Sequence, residues 1–138
     1  MFRLIYLPDT NAISLYLRGH DKGLNELMTQ NWESLRLSSL VIAEREYGII
    51  RHRSGRKYRY RFQSLISLIP IEAFNREDAA HYADLRCRLE KQGRGIGPID
   101  TLIAAQALRL GATVVTHNLS EFKRVPKLKV VDWQTPNP

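Results

Sequence analysis

Three acidic side chains, Asp9, Glu44 and Asp100, stand where an ordinary fold would rather have none. Asp9 directly follows the apolar run Leu4-Ile5-Tyr6-Leu7-Pro8. Glu44 sits behind Val41-Ile42-Ala43, and Asp100 follows Gly97-Pro98 at the head of a largely apolar stretch. Charges beside core-forming runs are unfavourable unless they are paired or bound to a metal. Each has a plain alternative: Asp9 as a turn residue that ends a strand, Asp100 as a carboxylate at a helix N-terminus, worth at most ~1 kcal/mol. Together, in a basic chain with no other catalytic kit, they point to an oxygen-lined site for a divalent cation.

Carboxylates suit that task. Mg²⁺ and Mn²⁺ prefer hard oxygen ligands. Clustered carboxylates repel one another and bind protons more tightly unless a cation holds them ionised. Such an ion orients and acidifies a water and neutralises charge on a phosphoryl oxygen.

Other chemistries are excluded by what is missing. The chain has no Gly-rich phosphate loop, dinucleotide fingerprint or nucleophile elbow. His20, His52, His81 and His117 lack metal-ligand spacing and read as surface or loop histidines. The lone Cys87 excludes an internal disulfide and a Cys-rich zinc site. It reads as a small packing residue within a helix.

Charge gives the second signal. The 138 residues carry 21 Lys and Arg against 14 Asp and Glu, a net charge of +7. Arg51, Arg53, Arg56, Lys57, Arg59 and Arg61 lie in an acid-free stretch between Glu46 and Glu72; without those six, 15 basic residues face 14 acidic ones. A concentrated basic segment interleaved with Tyr58, Tyr60 and Phe62 fits a polyanion-binding surface. A solvated helix face is the alternative. Tyr58 and Tyr60 are expected to serve packing rather than base stacking, and Trp32 and Trp133 to anchor the core.

These residues need a scaffold. Leu4 to Leu7 reads as a buried strand stopped by Pro8, with Thr10 or Asn11 capping a helix through Ile13 and Leu17. An amphipathic stretch around Leu24 and Met28 ends near Asn31. Leu35 to Leu37 is a candidate strand, and Ser38 or Ser39 caps a helix carrying Val41, Ile42 and Ile49. Phe62, Leu65, Ile66 and Ile69 follow helical spacing up to Pro70, and residues 68–71 equally suit a strand. Asn75 and Asp78 resemble a capping box for a helix carrying Ala79, Tyr82, Ala83, Leu85 and Leu89. Pro98 opens a last long helix, ended by Gly111. Thr113 to Thr116 and Leu128 to Val131 are short strands. Alternating strands and helices imply an α/β fold: a mostly parallel sheet, helices on both faces, one domain over residues 1–138. Sites in such sheets form beyond the carboxyl ends of strands. No apolar run approaches the ~20 residues of a membrane span, and the N-terminus is acidic too early for a signal peptide. A soluble cytoplasmic protein is expected.

Four segments carry a family resemblance. Leu7-Pro8-Asp9-Thr10-Asn11 resembles the Leu-Leu-Asp-Thr-Asn opening of PIN-domain ribonucleases, particularly VapC-type toxins of toxin–antitoxin pairs. Ser38-Ser39 through Ala43-Glu44-Arg45-Glu46-Tyr47-Gly48 is similar to their second motif. Ile96-Gly97-Pro98-Ile99-Asp100 with Ile103-Ala104-Ala105 is similar to the third. Thr116-His117-Asn118-Leu119-Ser120-Glu121-Phe122, closing with Asp132-Trp133, is similar to the fourth. The matches run in family order from residue 4 to 133.

The resemblance implies a PIN-like three-layer α/β/α sandwich and a catalytic set of Asp9, Glu44, Asp100 and Glu121, with Asp9 and Asp100 binding Mg²⁺ or Mn²⁺. Thr10, Asn11, Thr116 and Asn118 match positions that brace the acids; for these, capping and turn roles are the alternative. Either Asn118 or Glu121 takes the fourth functional position, Glu121 being the closer match. The resemblance further implies a homodimer, a VapB-type antitoxin partner and cleavage of RNA, with transfer RNA, the initiator's anticodon stem-loop in particular, as the favoured substrate. A non-catalytic nucleic-acid-binding module, or a nuclease of other substrates, is the competing reading. Pro8 and Arg45 depart from the family pattern; Arg45, where Leu is usual, is expected to face outward.

Overall fold

The computed structural model describes residues 3–136. Strand β1 (Tyr6–Pro8) leads into α1 (Thr10–Arg18) and α2 (Lys22–Gln30). After a short 3-10 turn at Trp32–Ser34 come β2 (Leu37–Ser38), α3 (Ser39–Arg51), α4 (Arg56–Leu68) and β3 (Ile71–Glu72). Then follow α5 (Arg76–Lys91), α6 (Pro98–Leu110), β4 (Thr113–Val115), the one-turn α7 (Leu119–Phe122) and β5 (Lys129–Val131).

All strand pairs are parallel. β4 lies between β1 and β5, in register Leu7 to Val114 to Val130. β2 pairs with β3. A single parallel bridge, Tyr6 to Leu35, joins the two groups, with the Arg36 N–H donating to the Tyr6 carbonyl at 3.0 Å. The spatial order is therefore β3-β2-β1-β4-β5, with helices packed over the sheet. Parallel strands covered on both faces are expected to be apolar throughout, and Leu7, Val114 and Val115 are buried.

Several expectations hold at residue level. Asn75 and Asp78 form a reciprocal capping box, each side chain accepting the other's backbone N–H at 3.0 and 2.8 Å. Pro98 is at N1 of α6 and Gly111 caps it with φ 64°, a conformation that a Cβ would strain. Trp133 is buried against Tyr6, ring centroids 4.8 Å apart.

Others need correction. Pro8 does not stop β1; it is the strand's last residue. Strand groups alternate sides, so Pro8 shares the side of Tyr6, away from β4, and its missing N–H leaves the β4 ladder intact: the Asp9 N–H donates to Val115 at 3.0 Å. The cap of α1 is Asp9 rather than Thr10 or Asn11, its carboxylate accepting the Ala12 N–H at 2.8 Å. The strand at Leu35 to Leu37 lies slightly later, at Leu37–Ser38. Cys87 is exposed, and so are Ala79 and Ala83: α5 buries only Asp78, Leu85 and Leu89.

Candidate nuclease site

The carboxyl ends of β1, β4 and β5 lie side by side, and each is followed at once by a polar residue: Asp9, Thr116 and Asp132. The first turn of α6 contributes Asp100, and α7 with its preceding residue contributes Glu121 and Asn118. The parallel register alone makes neighbours of residues so distant in the chain.

Asp9 is 3% exposed. Burial raises the pKa of its carboxyl, while the Ala12 N–H and the Thr116 hydroxyl act the other way; Asp132 adds to the rise and His117 opposes it. Asp100, half-buried, has its pKa raised to about 6, first by burial, then by the charges of Asp9 and Glu121. Those three acids thus share one electrostatic environment. Asn118 donates to Glu121 at 2.8 Å, and its own N–H donates to the Thr116 hydroxyl at 2.9 Å. Those bonds tie the Glu121 carboxylate to the turn that follows β4.

Glu44 is placed differently. It is half-buried on the side of α3 that includes Val41 and Gly48, while Glu46 is exposed. Glu44 is not among the charges that raise Asp9 or Asp100. Among the described residues no three Asp, Glu, His or Cys side chains converge closely enough to cage one ion. The donors still suit Mg²⁺ or Mn²⁺ in kind. They are all carboxylate oxygens, mutually repelling, and among the described residues Asp100 has no protein hydrogen-bond donor. Mg²⁺ is held by one or two carboxylates and keeps several waters, so a closed protein cage is not required.

The bracing residues differ in role. Thr116 is buried at the centre of the network. Asn11 is exposed, and the buried Thr10 hydroxyl has no partner. Two residues to which the sequence reading gave no role in the site lie beside it. His117, expected to be unpaired, meets Asp132 through Nδ1 and Oδ2 at 2.9 Å. Asp132 follows Val130-Val131 just as Asp9 follows β1, and that repetition was the available signal.

The basic segment is split. Arg51, Arg53, Arg56, Lys57 and Arg59 are exposed around the α3–α4 connection. Arg61 is not part of that surface: it is partly buried and donates to the Leu17 carbonyl at 3.2 Å, tying α4 to the end of α1. Arg45, expected to face outward, is half-buried, with Nη1 3.4 Å from the Tyr58 hydroxyl of α4. Tyr60 is exposed.

The PIN domain family model matches residues 6–128. Ribonuclease VapC2 of Rickettsia felis is 35% identical over 133 residues, covering 94% of this chain and 98% of the relative. The tRNA(fMet)-specific endonuclease VapC of Salmonella typhimurium is 28% identical, with the same coverage. Among solved structures, VapBC2 from Rickettsia felis bound to a fragment of promoter DNA superimposes with a TM-score of 0.85 at 31% identity, covering 95% of this chain and 100% of that one. The order of the sheet, the acids at its carboxyl edge and these likenesses agree: the chain belongs to the PIN-domain family, among the VapC ribonucleases.

Proposed function

We propose that this VapC ribonuclease is an endoribonuclease toxin that uses Mg²⁺ or Mn²⁺ held by Asp9 and Asp100, cleaves transfer RNA in the cytoplasm and is silenced by a VapB-type antitoxin. The observation that carries the reading is the half-buried Asp100, raised to about 6 by burial and then by the charges of Asp9 and Glu121. Carboxylates that disfavour one another's ionisation hold a latent affinity for a divalent cation.

Bound there, such an ion activates water and offsets charge at the scissile phosphate. The chain's own part is positional. Asp9 is locked by the Ala12 N–H, so its remaining oxygen has a fixed direction. Glu121 and Asn118 lie beside Asp9 and Asp100, and Glu44, on the half-buried side of α3, is kept as a further acid on the family resemblance. Arg51, Arg53, Arg56, Lys57 and Arg59 hold the RNA backbone by charge. Attack of water at phosphorus, with rupture of the bond to the 3′ oxygen, leaves a 3′-hydroxyl and a 5′-phosphate. The Salmonella relative's name makes the initiator transfer RNA the first substrate to try. A homodimer is the expected assembly.

The test is incubation with total transfer RNA and Mg²⁺ or Mn²⁺, read on a denaturing gel beside an Asp9→Asn protein and an EDTA lane. A discrete fragment pair lost in both controls is expected. Equal cutting by Asp9→Asn would overturn the assignment and leave a basic RNA-binding surface in its place.

A further inference from the structure

The His117–Asp132 pair has no task in the scheme above, although it borders the site. Both residues stand at the same strand ends as Asp9, and both act on its charge. His117 follows Thr116 and precedes Asn118, so its backbone belongs to the hydrogen-bonded turn that braces the acids.

The pair is built rather than incidental. Asp132 uses both oxygens: Oδ1 accepts the Gln134 N–H at 2.9 Å and Oδ2 meets His117 Nδ1 at 2.9 Å. The segment carrying Asp132 is pinned on its far side. Trp133 is buried, and Thr135 donates through N–H and hydroxyl to Asp21 at 3.1 and 2.6 Å, while its hydroxyl accepts the Gly23 N–H at 2.9 Å. A carboxylate only accepts hydrogen bonds, so Nδ1 carries the shared hydrogen and the tautomer is set. In the neutral ring, Nε2 is then an acceptor. The His117 side chain is 64% exposed against 24% for Asp132, so the ring is open to a ligand while its orienting partner is covered.

A fixed, outward acceptor beside carboxylates is poorly matched to a phosphate, which only accepts. It matches a hydroxyl donor. On a nucleic acid backbone the hydroxyl that separates RNA from DNA is the ribose 2′-OH. We infer that His117, oriented by Asp132, accepts a hydrogen bond from a ribose 2′-hydroxyl next to the scissile phosphate and contributes to the choice of RNA over DNA. His117 is a substrate-contacting residue and Asp132 a positioning residue. The inference rests on the nuclease reading and adds a residue to it.

The experiment uses the full chain and a synthetic initiator anticodon stem-loop, all-ribose or with a single 2′-deoxy nucleotide on either side of the cut. For the wild type, one of the two deoxy substrates is expected to be cleaved about five-fold more slowly in kcat/KM, the size of one neutral hydrogen bond. In His117→Ala that ribose-to-deoxy ratio is expected to fall to about one. Asp132→Ala should lose it too, whereas Asp132→Asn, still an acceptor for Nδ1–H, should retain most of it. A folding defect slows both substrates alike and leaves the ratio unmoved, so the ratio isolates the contact. An undiminished ratio in His117→Ala, or no ratio in the wild type, overturns the inference while leaving the nuclease intact. A wild type that cuts no RNA removes the nuclease reading itself.

Discussion

Asp9, at the end of β1, adds its charge to the burial that raises the proton affinity of Asp100, in the first turn of α6. The folded pKa of Asp100, about 6, lies above its ordinary 3.8. The folded state therefore holds the proton more tightly, and this stability, full below pH 3.8, is lost as pH rises through about 6. Asp100→Asn is expected to be more stable than the wild type at pH 7 by about 1 kcal/mol, a figure reduced for solvent screening at a half-buried group. Urea denaturation at pH 4 and pH 7 checks it: the advantage should shrink at the lower pH. Cleavage should be abolished in the same protein.

Divalent metal should act in the opposite sense. Mg²⁺ or Mn²⁺ binding only to the folded chain raises its melting temperature in proportion to the logarithm of metal concentration. The rise should appear in the wild type, weaken between pH 7 and pH 5 as protons compete, and vanish in Asp9→Asn. Thermal melts with and without EDTA measure it.

Salt dependence tests the basic surface. Alanine at Arg56, Lys57 and Arg59 should weaken RNA binding and reduce the slope of log affinity against log salt by about 2 to 3. Binding to an Asp9→Asn protein between 50 and 200 mM salt, where each released counterion contributes to the slope, reads this directly. Arg61→Ala should instead lower stability with little change in slope, because its guanidinium holds Leu17.

A buried polar hub fixes α6 to the sheet. Ser38 donates to Gln106 at 2.6 Å, and Gln106 donates to the Glu72 carbonyl at 3.0 Å, with Gln106 fully buried. Gln106→Leu strands both partners and should destabilise by about 2 kcal/mol in urea unfolding. Nearby, Arg109 grips the fully buried Asp78 at the start of α5 with both arms of its guanidinium. Removing Arg109 leaves that charge uncompensated, and Arg109→Ala should lose about 3 kcal/mol or more.

Local signals were the legible ones. Proline at the start of α6, glycine at its end and the Asn75–Asp78 box act within a few residues, so the sequence displays them directly. Asp9 stood out in the sequence as an acid at a strand's end but not as the cap of α1, because a carboxylate can cap a helix with one oxygen and leave the other free. Arg45 and Arg61 misled for a different reason: a long side chain can turn inward to bridge two helices, and charge counting does not reveal the turn. The His117–Asp132 pair depends on β4 lying next to β5 in one register. Helical or strand periodicity carries no trace of that neighbour, which only the assembled sheet supplies.

The pairing of β1 with β4 has a kinetic side. Its partners are separated by most of the chain, so loop closure must be completed before the central ladder yields any stabilisation, and such non-local contacts form slowly. The acids cannot converge before that ladder does. A chain in which that ladder has not formed therefore holds scattered carboxylates and no cluster, which makes RNA cleavage conditional on completed folding. For a ribonuclease made among the host's own transcripts, the topology itself delays activity until the molecule is whole.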